Sequence, residues 1–267
     1  MTDGSASHPQ KNSAPLAIIL AAGKGTRMKS DLPKVVHHVG GRPMVCAVVD
    51  ACLEAGCARV IAIVGYKQEH VREALADYPM VEYAVQEEQL GTGHAVACCS
   101  PLLAREASEP GHDAFVLCGD GPLIRSATLK QLLDAHRGAG AKATLATAEL
   151  ADPTGYGRIV RDAQGKFQAI VEQKNATPEQ RAIREVNPSY YCFDVAAMVS
   201  SLSKVERNAL TGEYYLTDVP GLLLNGGSRV EVLRAVPPED VLSINTPEDL
   251  AHVDGIYRKR REGMAGR

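Results

Sequence analysis

At 267 residues, with 45% hydrophobic residues but only 4% aromatic ones and no Trp, the chain suits a single α/β unit whose core rests on Val, Leu, Ile and Ala. A net charge of −3 argues against a nucleic-acid surface, so a phosphate-bearing ligand would need a local cationic patch. The seven cysteines form no C-x-x-C pair and mostly sit in apolar segments, so buried reduced thiols are expected rather than zinc ligands or disulfides.

Residues 1–14 are polar and lack an apolar signal-peptide core, so they read as a disordered N-terminal tail. No apolar run approaches the roughly 18 residues of a membrane-spanning helix, and a cytoplasmic protein without membrane partners is expected. Pro15–Leu20 is a short apolar run of the kind that makes a buried parallel strand. Ala21-Ala22-Gly23-Lys24-Gly25-Thr26-Arg27-Met28 follows, small and glycine-bearing, and lets backbone N–H groups approach a ligand. Lys24, Arg27 and Lys34 then place three cations within eleven residues. A strand, a flexible loop and clustered cations suggest a phosphate or nucleotide site at a strand's C-terminal end. It is not a P-loop, for no Gly-Lys pair has the required spacing, and Met28 stands where the dinucleotide fingerprint needs its third glycine. An ordinary βα turn would use the same residues.

Pro43 opens a helix over Met44–Ala55 that Gly56 ends. Arg59–Val64 is a second strand, Gln68–Ala76 a helix and Val81–Val85 a third strand, which together predict a parallel sheet with right-handed crossovers. The polar stretch from Gln86 to Ala95 offers a carboxamide at Gln86 that suits a uracil edge, a flexible Gly91, and Thr92 as the cap of the next helix. Ala114–Cys118 is a fourth strand, and Asp120 just beyond it is placed either as a turn residue or as an oxygen ligand for Mg²⁺. Ser126–Ala139 reads as a helix and Ala143–Ala148 as a further strand.

From Thr154 the character changes. Thr154–Val160 and Lys166–Glu172 bracket Asp162-Ala163-Gln164-Gly165 as a hairpin, followed by a helix-starting Pro178 and by Glu185-Val186-Asn187. This portion is expected to form a β-rich lobe over the sheet, the far wall of a cleft. Gly157, Glu172 and Asn187 offer an N–H, a carboxylate and a carboxamide, groups suited to sugar hydroxyls and an amide. Gly212–Asp218 opens a helix running through Leu224, Arg229–Ala235 returns as a strand, and Thr246 with Pro247 caps a final helix. The basic run Tyr257–Glu262 reads as a solvated helix end complementing the helix dipole.

L-A-A-G-K-G-T-R-M with L-P-K-V, Q-E-E-Q-L-G-T-G-H-A, G-D-G-P-L, T-G-Y-G-R-I, I-V-E-Q-K-N-A-T and E-V-N occur in that order. Together they resemble the sugar-nucleotide pyrophosphorylases, above all the uridylyltransferase part of bacterial N-acetylglucosamine-1-phosphate uridylyltransferases. The resemblance implies a Rossmann-like, mostly parallel sheet flanked by helices, the nucleotide-diphospho-sugar transferase fold, with a smaller β-rich sugar-binding lobe. It implies transfer from UTP to N-acetylglucosamine 1-phosphate with Mg²⁺ as cofactor. Arg27, Lys34 and Asp120 would be catalytic. Leu20, Ala21, Ala22, Gly23, Lys24, Gln86, Gly91 and Thr92 would hold the nucleotide, with amides around Ala21–Gly23 reading the uracil. Gly157, Glu172 and Asn187 would hold the sugar, and Asp120 and Asn245 the metal.

Two departures stand out: Gly121 replaces an apolar residue beside the metal aspartate, and Pro188-Ser189 replaces a Thr-Gly pair after Asn187. The resemblance spans about residues 15–255, nucleotide-binding to about 150 and sugar-binding over about 151–240, with 256–267 as a helix end and tail. No repeat of an acetyltransferase domain occurs, so uridylyl transfer without acetyl transfer is expected. Another sugar phosphate, dTTP in place of UTP, or an inactive binding module remain the rivals, and homo-oligomerisation stays open.

Overall fold

The computed structural model describes residues 13–265, so most of the expected N-terminal tail lies outside the described residues. Ser13 is tied down: its hydroxyl donates to the Gly111 carbonyl (2.8 Å), and its own carbonyl accepts from Arg137 (2.6 Å).

Leu16–Leu20 forms β1, and a minor hairpin of His38–Val39 (β2) and Arg42–Pro43 (β3) leads into helix α1, Met44–Glu54. Then come β4 (Arg59–Val64), α2 (Gln68–Ala74), β5 (Val81–Val85), α3 (Thr92–Ala97), α4 (Ala104–Ser108), β6 (Asp113–Cys118), α5 (Ser126–Ala139) and β7 (Ala143–Glu149). The hairpin β8 (Gly157–Arg161) and β9 (Phe167–Val171) precedes α6 (Pro178–Arg181), β10 (Glu185–Asp194) and α7 (Val195–Leu202). Helix α8 (Asp218–Asn225), β11 (Val230–Arg234) and α9 (Pro247–Ala265) complete the chain.

The main sheet runs β11-β7-β10-β6-β1-β4-β5, with β8 and β9 continuing from β10. β1 pairs in parallel with both β4 and β6, and β4 with β5, as the alternating strand–helix order requires. After β1 the chain moves outward to β4 and β5, then returns to place β6 on the other flank of β1. That reversal opens a crevice beyond the carboxyl ends of β1 and β6. Both sheet faces are covered. Ala17 and Ile19 of β1 face a layer with Val45, Val48 and Leu129, while Leu16 and Ile18 face one with Val96, Met198 and Val219. Burial on both sides explains why these strands read as unbroken apolar runs rather than alternating ones.

The expected β-rich lobe is joined to the sheet differently from the sequence reading. Its last strand continues from Asn187 as β10, running antiparallel between β6 and β7, because Tyr190–Phe193 is an apolar run that buries on both faces. Only the outer end of β10 pairs with β8, and the register shifts between Val186 and Tyr190 where the strand changes partners. α7 was not expected from sequence; Asp194 caps it by accepting from Ala197 N (3.0 Å). All seven cysteines are free thiols. No helix among the described residues is long and apolar enough to cross a membrane.

Candidate active site

The loop after β1 bends through Gly25, whose φ is +67°, into a short 3-10 turn, Thr26–Met28. A Cβ on Gly25 would lie 2.5 Å from the Lys34 Cβ, so this glycine makes room for Lys34 as well as for the turn. Met28, at the fingerprint's missing glycine, is buried in the core. The Lys34 ammonium reaches across to the Asp120 carboxylate and lies 3.0 Å from Asn245 Oδ1. Arg27 donates to the same Asn245 oxygen at 2.9 Å. Ile244 N donates to the Asp120 carbonyl at 3.0 Å, which stitches the segment carrying Asn245 against the end of β6. Thus Arg27, Lys34, Asp120 and Asn245 meet as one cluster.

That cluster separates two chambers. One, of about 340 Å³, is walled by Gly23, Lys24, Gly25, Thr26, Lys34 and Gln89. The other, of about 420 Å³, holds Asp120, Tyr156, Gly157, Glu172, Asn187 and Ser189. Arg27 and Asn245 line both. The first chamber is cationic; the second carries hydrogen-bonding groups with two buried strand ends behind them.

In the second chamber, Gly157 of β8 and Asn187 of β10 are direct cross-strand partners. A Cβ on Gly157 would come within 3.0 Å of Ile170, so glycine lets the hairpin lie this close. Asn187 sits where β10 changes partners, and such irregularities re-aim side chains beside sites. Its Oδ1 accepts from Ser189 N (3.1 Å) and its Nδ2 donates to the Tyr191 hydroxyl (2.6 Å). The first of these bonds holds Ser189 at φ +63°, a left-handed position that a serine adopts at some strain. Glu172 has its carboxyl pushed above the ordinary range by burial, which the Thr217 hydroxyl, donating at 3.0 Å, partly opposes. Burial likewise pushes the Cys118 thiol up to about 12, with the Asp120 charge adding to it, so it stays neutral near neutral pH. At Gly121 a Cβ would lie 3.4 Å from the Tyr190 hydroxyl, an ordinary contact distance.

The expected nucleobase residues lie at the ends of β1 and β5; Gly23 lines the cationic chamber, while Ala21, Ala22 and Gln86 are buried. Ala21 N donates to Ile63 O (2.9 Å), so that amide holds the loop to the sheet instead of pointing outward. The Ala22 carbonyl accepts from Tyr66 N (3.1 Å) and from Gln89 Nε2 (2.8 Å). Gln86 is only 4% exposed, and its Nε2 donates to the Gly91 carbonyl (3.0 Å) and sits 3.1 Å from His94 Nδ1. Thr92 does not cap α3. Gly91 holds the cap position, and the Thr92 hydroxyl accepts from Leu216 N at 3.0 Å. Gly91 (φ +107°) admits the backbone of Tyr214 on one side: a Cβ there would lie 2.5 Å from the Tyr214 carbonyl oxygen. Gly212–Asp218, expected to open a helix, instead belongs up to Thr217 to an irregular strap, 206–217, with a bridge between Arg207 and Tyr214, and α8 starts only at Asp218.

Two further supports escaped the sequence reading. Gln89, inside the Q-E-E-Q-L motif, lines the cationic chamber. Arg260, expected as a solvated residue, pairs with Asp240 (2.6 Å) and with Glu239, and donates to the Leu123 carbonyl (3.1 Å). Together with Tyr156 and Tyr190, whose hydroxyls donate to the carbonyls of Val241 and Asp240, it fixes the segment leading to Asn245. Thr246 does cap α9, through a reciprocal pair with Asp249: Asp249 N donates to its hydroxyl (3.1 Å), and Asp249 Oδ2 accepts from Thr246 N (2.9 Å).

The nucleotidyl transferase family model matches residues 16–234. The chain belongs to that family. A bifunctional protein GlmU from Geobacillus sp. (strain WCH70) is 46% identical over 244 residues, 91% of this chain and 52% of the relative. The bifunctional protein GlmU of Heliobacterium modesticaldum is 45% identical over 91% of this chain and 52% of its own length. The chain therefore spans about half the length of the curated relatives it matches. Two solved structures of UDP-glucose pyrophosphorylase, one complexed with UDP-glucose and one apo, share the fold at a TM-score of 0.73 and 18% identity. Each covers 93% of this chain and 100% of the other.

No group of three His, Cys, Asp or Glu side chains capable of holding a metal occurs among the described residues. Asp120 and Asn245 do bring one carboxylate and one carboxamide oxygen onto a single cation, the Lys34 ammonium. A pair of hard oxygens converging on positive charge fits Mg²⁺, which takes its remaining ligands from phosphates and water.

Proposed function

We propose that this chain transfers a uridylyl group from UTP to N-acetylglucosamine 1-phosphate, giving UDP-N-acetylglucosamine and pyrophosphate in a Mg²⁺-dependent reaction. The observation that carries this reading is the pair of chambers, one cationic and one hydrogen-bonding, that meet at Arg27 and Asn245. Kinship with bifunctional GlmU proteins supports it. In this reading residues up to about 150 serve the nucleotide and residues from about 151 to 240 serve the sugar.

A sugar 1-phosphate is largely dianionic at neutral pH, its second pKa being about 6 as for phosphorylated side chains. It therefore attacks the α-phosphorus of UTP without a general base. The obstacle is approach of one anion to another, which positioning and charge neutralisation overcome. Lys24 and Arg27 cover the triphosphate and the departing pyrophosphate. Lys34 sits beside the phosphates at the junction. Glu172 and Asn187, with the Gly157 N–H, orient the sugar in the larger chamber. The ends of β1 and β5, with Gln86 and the Gly91–Thr92 turn, form the nucleobase side. Asp120 and Asn245 would hold Mg²⁺, which when bound supplies charge neutralisation at the phosphate oxygens.

The test is a panel of nucleoside triphosphates against sugar 1-phosphates, read as pyrophosphate release with and without Mg²⁺. UTP with N-acetylglucosamine 1-phosphate is expected to give the highest kcat/KM. Preference for glucose 1-phosphate, glucosamine 1-phosphate or dTTP would reassign the substrate, and no turnover with any pair would refute the enzymatic reading.

A further inference from the structure

Thr217 occupies the cap position of α8, yet its side chain makes no capping hydrogen bond. A threonine there ordinarily accepts from a helix N–H, a contact worth about 1 kcal/mol. Instead the hydroxyl turns away from the helix and donates to Glu172 Oε1 at 3.0 Å. Thr217 is itself only 5% exposed, so its orientation is set by packing. Glu172 lies among groups that disfavour its charge: burial dominates, Asp218 and Glu213 add to it, and Lys174 and the Thr217 hydroxyl oppose. A hydrogen bond from a hydroxyl both favours the carboxylate and fixes its rotamer.

Two of the three residues before Thr217 are tied to the Leu90–Gly93 turn. Tyr214 N donates to the Leu90 carbonyl (2.8 Å), and the Tyr214 carbonyl accepts from Gly93 N (2.8 Å). Leu216 N donates to the Thr92 hydroxyl (3.0 Å). One strap of chain therefore touches the Leu90–Gly93 turn at one end and the buried Glu172 carboxylate at the other.

We propose that Thr217 is a positioning residue for sugar specificity: it orients the Glu172 carboxylate toward the sugar chamber from a strap anchored on the Leu90–Gly93 turn. This rests on the reading of Glu172 as a sugar ligand. The effect runs through the sugar phosphate rather than through the phosphates of the nucleotide.

The experiment is steady-state kinetics on Thr217→Val, Thr217→Ser, Glu172→Gln and the Thr217→Val/Glu172→Gln double variant, with KM determined separately for UTP and N-acetylglucosamine 1-phosphate. Circular dichroism checks folding. Thr217→Val is expected to raise KM for the sugar phosphate about tenfold, the worth of one hydrogen bond, and to leave KM for UTP within about twofold. Thr217→Ser, which keeps the hydroxyl, should stay within about threefold of wild type, and Thr217→Val should add nothing to Glu172→Gln. An unchanged sugar-phosphate KM in Thr217→Val, with a raised one in Glu172→Gln, overturns the proposal and leaves the assignment of Glu172 standing. Equal rises in both KM values without recovery in Thr217→Ser also overturn it, for that is collapse of the strap. An unchanged KM in Glu172→Gln refutes the sugar role itself. Should Thr217→Val not fold, additivity of Thr217→Ala with Glu172→Gln decides the matter, full additivity being the refuting result.

Discussion

Gly25→Ala tests whether the loop after β1 is shaped around Lys34. The residue has φ +67°, a conformation that costs an L-residue about 1–2 kcal/mol. The added Cβ would also lie 2.5 Å from the Lys34 Cβ, with the Lys34 Cα at 3.4 Å, and overpacking of this kind costs about 1–3 kcal/mol. The sum, about 2–5 kcal/mol, corresponds to a fall in Tm of roughly 5–15 °C for a chain of this size. Whatever part is relieved by movement shifts Lys34 away from Asp120 and Asn245. Loss of one preorganised charged group lowers kcat by about 10²–10³, so partial displacement is expected to lower it by about 10–10². Gly41→Ala is the control, because Gly41 has φ +83° but nothing within 4 Å of its Cβ. It should lose only the conformational part and keep its kcat. Thermal unfolding and steady-state kinetics on both variants decide the point. If Gly25→Ala matches Gly41→Ala in Tm and wild type in kcat, the close approach to Lys34 does not shape the site.

Asp120→Ala is expected to cut kcat by about 10²–10³ with an unchanged circular dichroism spectrum, since it removes the carboxylate paired with the Lys34 ammonium. Asn245→Ala should fall less and recover partly with added Mg²⁺, whereas Arg27→Ala should not recover; kcat against Mg²⁺ concentration separates the three. Arg260→Ala should lower kcat/KM several-fold and stability by about 1–3 kcal/mol, because Asp240, 1% exposed, loses one of the two arginines, Arg125 and Arg260, that pair with it among the described residues; urea unfolding measures the loss. At Glu185, burial raises the carboxyl, but hydrogen bonds from Arg161, Arg234 and Thr147 outweigh it and bring it down to about 2. A depressed acid contributes stability above its unfolded pKa of about 4.5 and loses it as pH falls toward 2. Glu185→Gln should flatten the stability–pH curve between those values, and equal slopes for both proteins in acid unfolding would refute the assignment.

The strands that build the crevice were legible because burial on both faces leaves an unbroken apolar run, as in Arg59–Val64 and Asp113–Cys118. The full course of β10 was not. Asn187–Ser189 interrupts it with polar and left-handed residues, so the apolar Tyr190–Phe193 beyond looked unrelated to the hairpin. Among site residues, Arg27, Lys34, Asp120 and Asn245 were named by motif, and the structure brings them together. What surrounds Gly91 and Thr92 was not legible, because their neighbours Tyr214 and Leu216 lie more than a hundred residues away in sequence. A glycine in a motif announces close approach but not what approaches. Asp194 followed by an apolar run was a readable cap signal for α7.

The junction of the two chambers depends on a contact between chain positions 218 apart, Arg27 and Asn245. Asn245 is not on a strand of the sheet. It is held by the Asp120 carbonyl from one side, by Tyr156, Tyr190 and Arg260 acting on the segment before it, and by the Thr246–Asp249 cap behind it. These supports come from four elements: the end of β6 (Asp120), the approach to β8 (Tyr156), β10 (Tyr190) and α9 (Asp249 and Arg260). Charge at the junction is therefore placed by the docking of the sheet, the hairpin and the final helix together, whereas the apolar sheet needs none of these polar ties for its own packing. Substitutions in this polar frame should separate activity from stability, lowering kcat/KM at modest cost in Tm, while truncations in the sheet core should lower both.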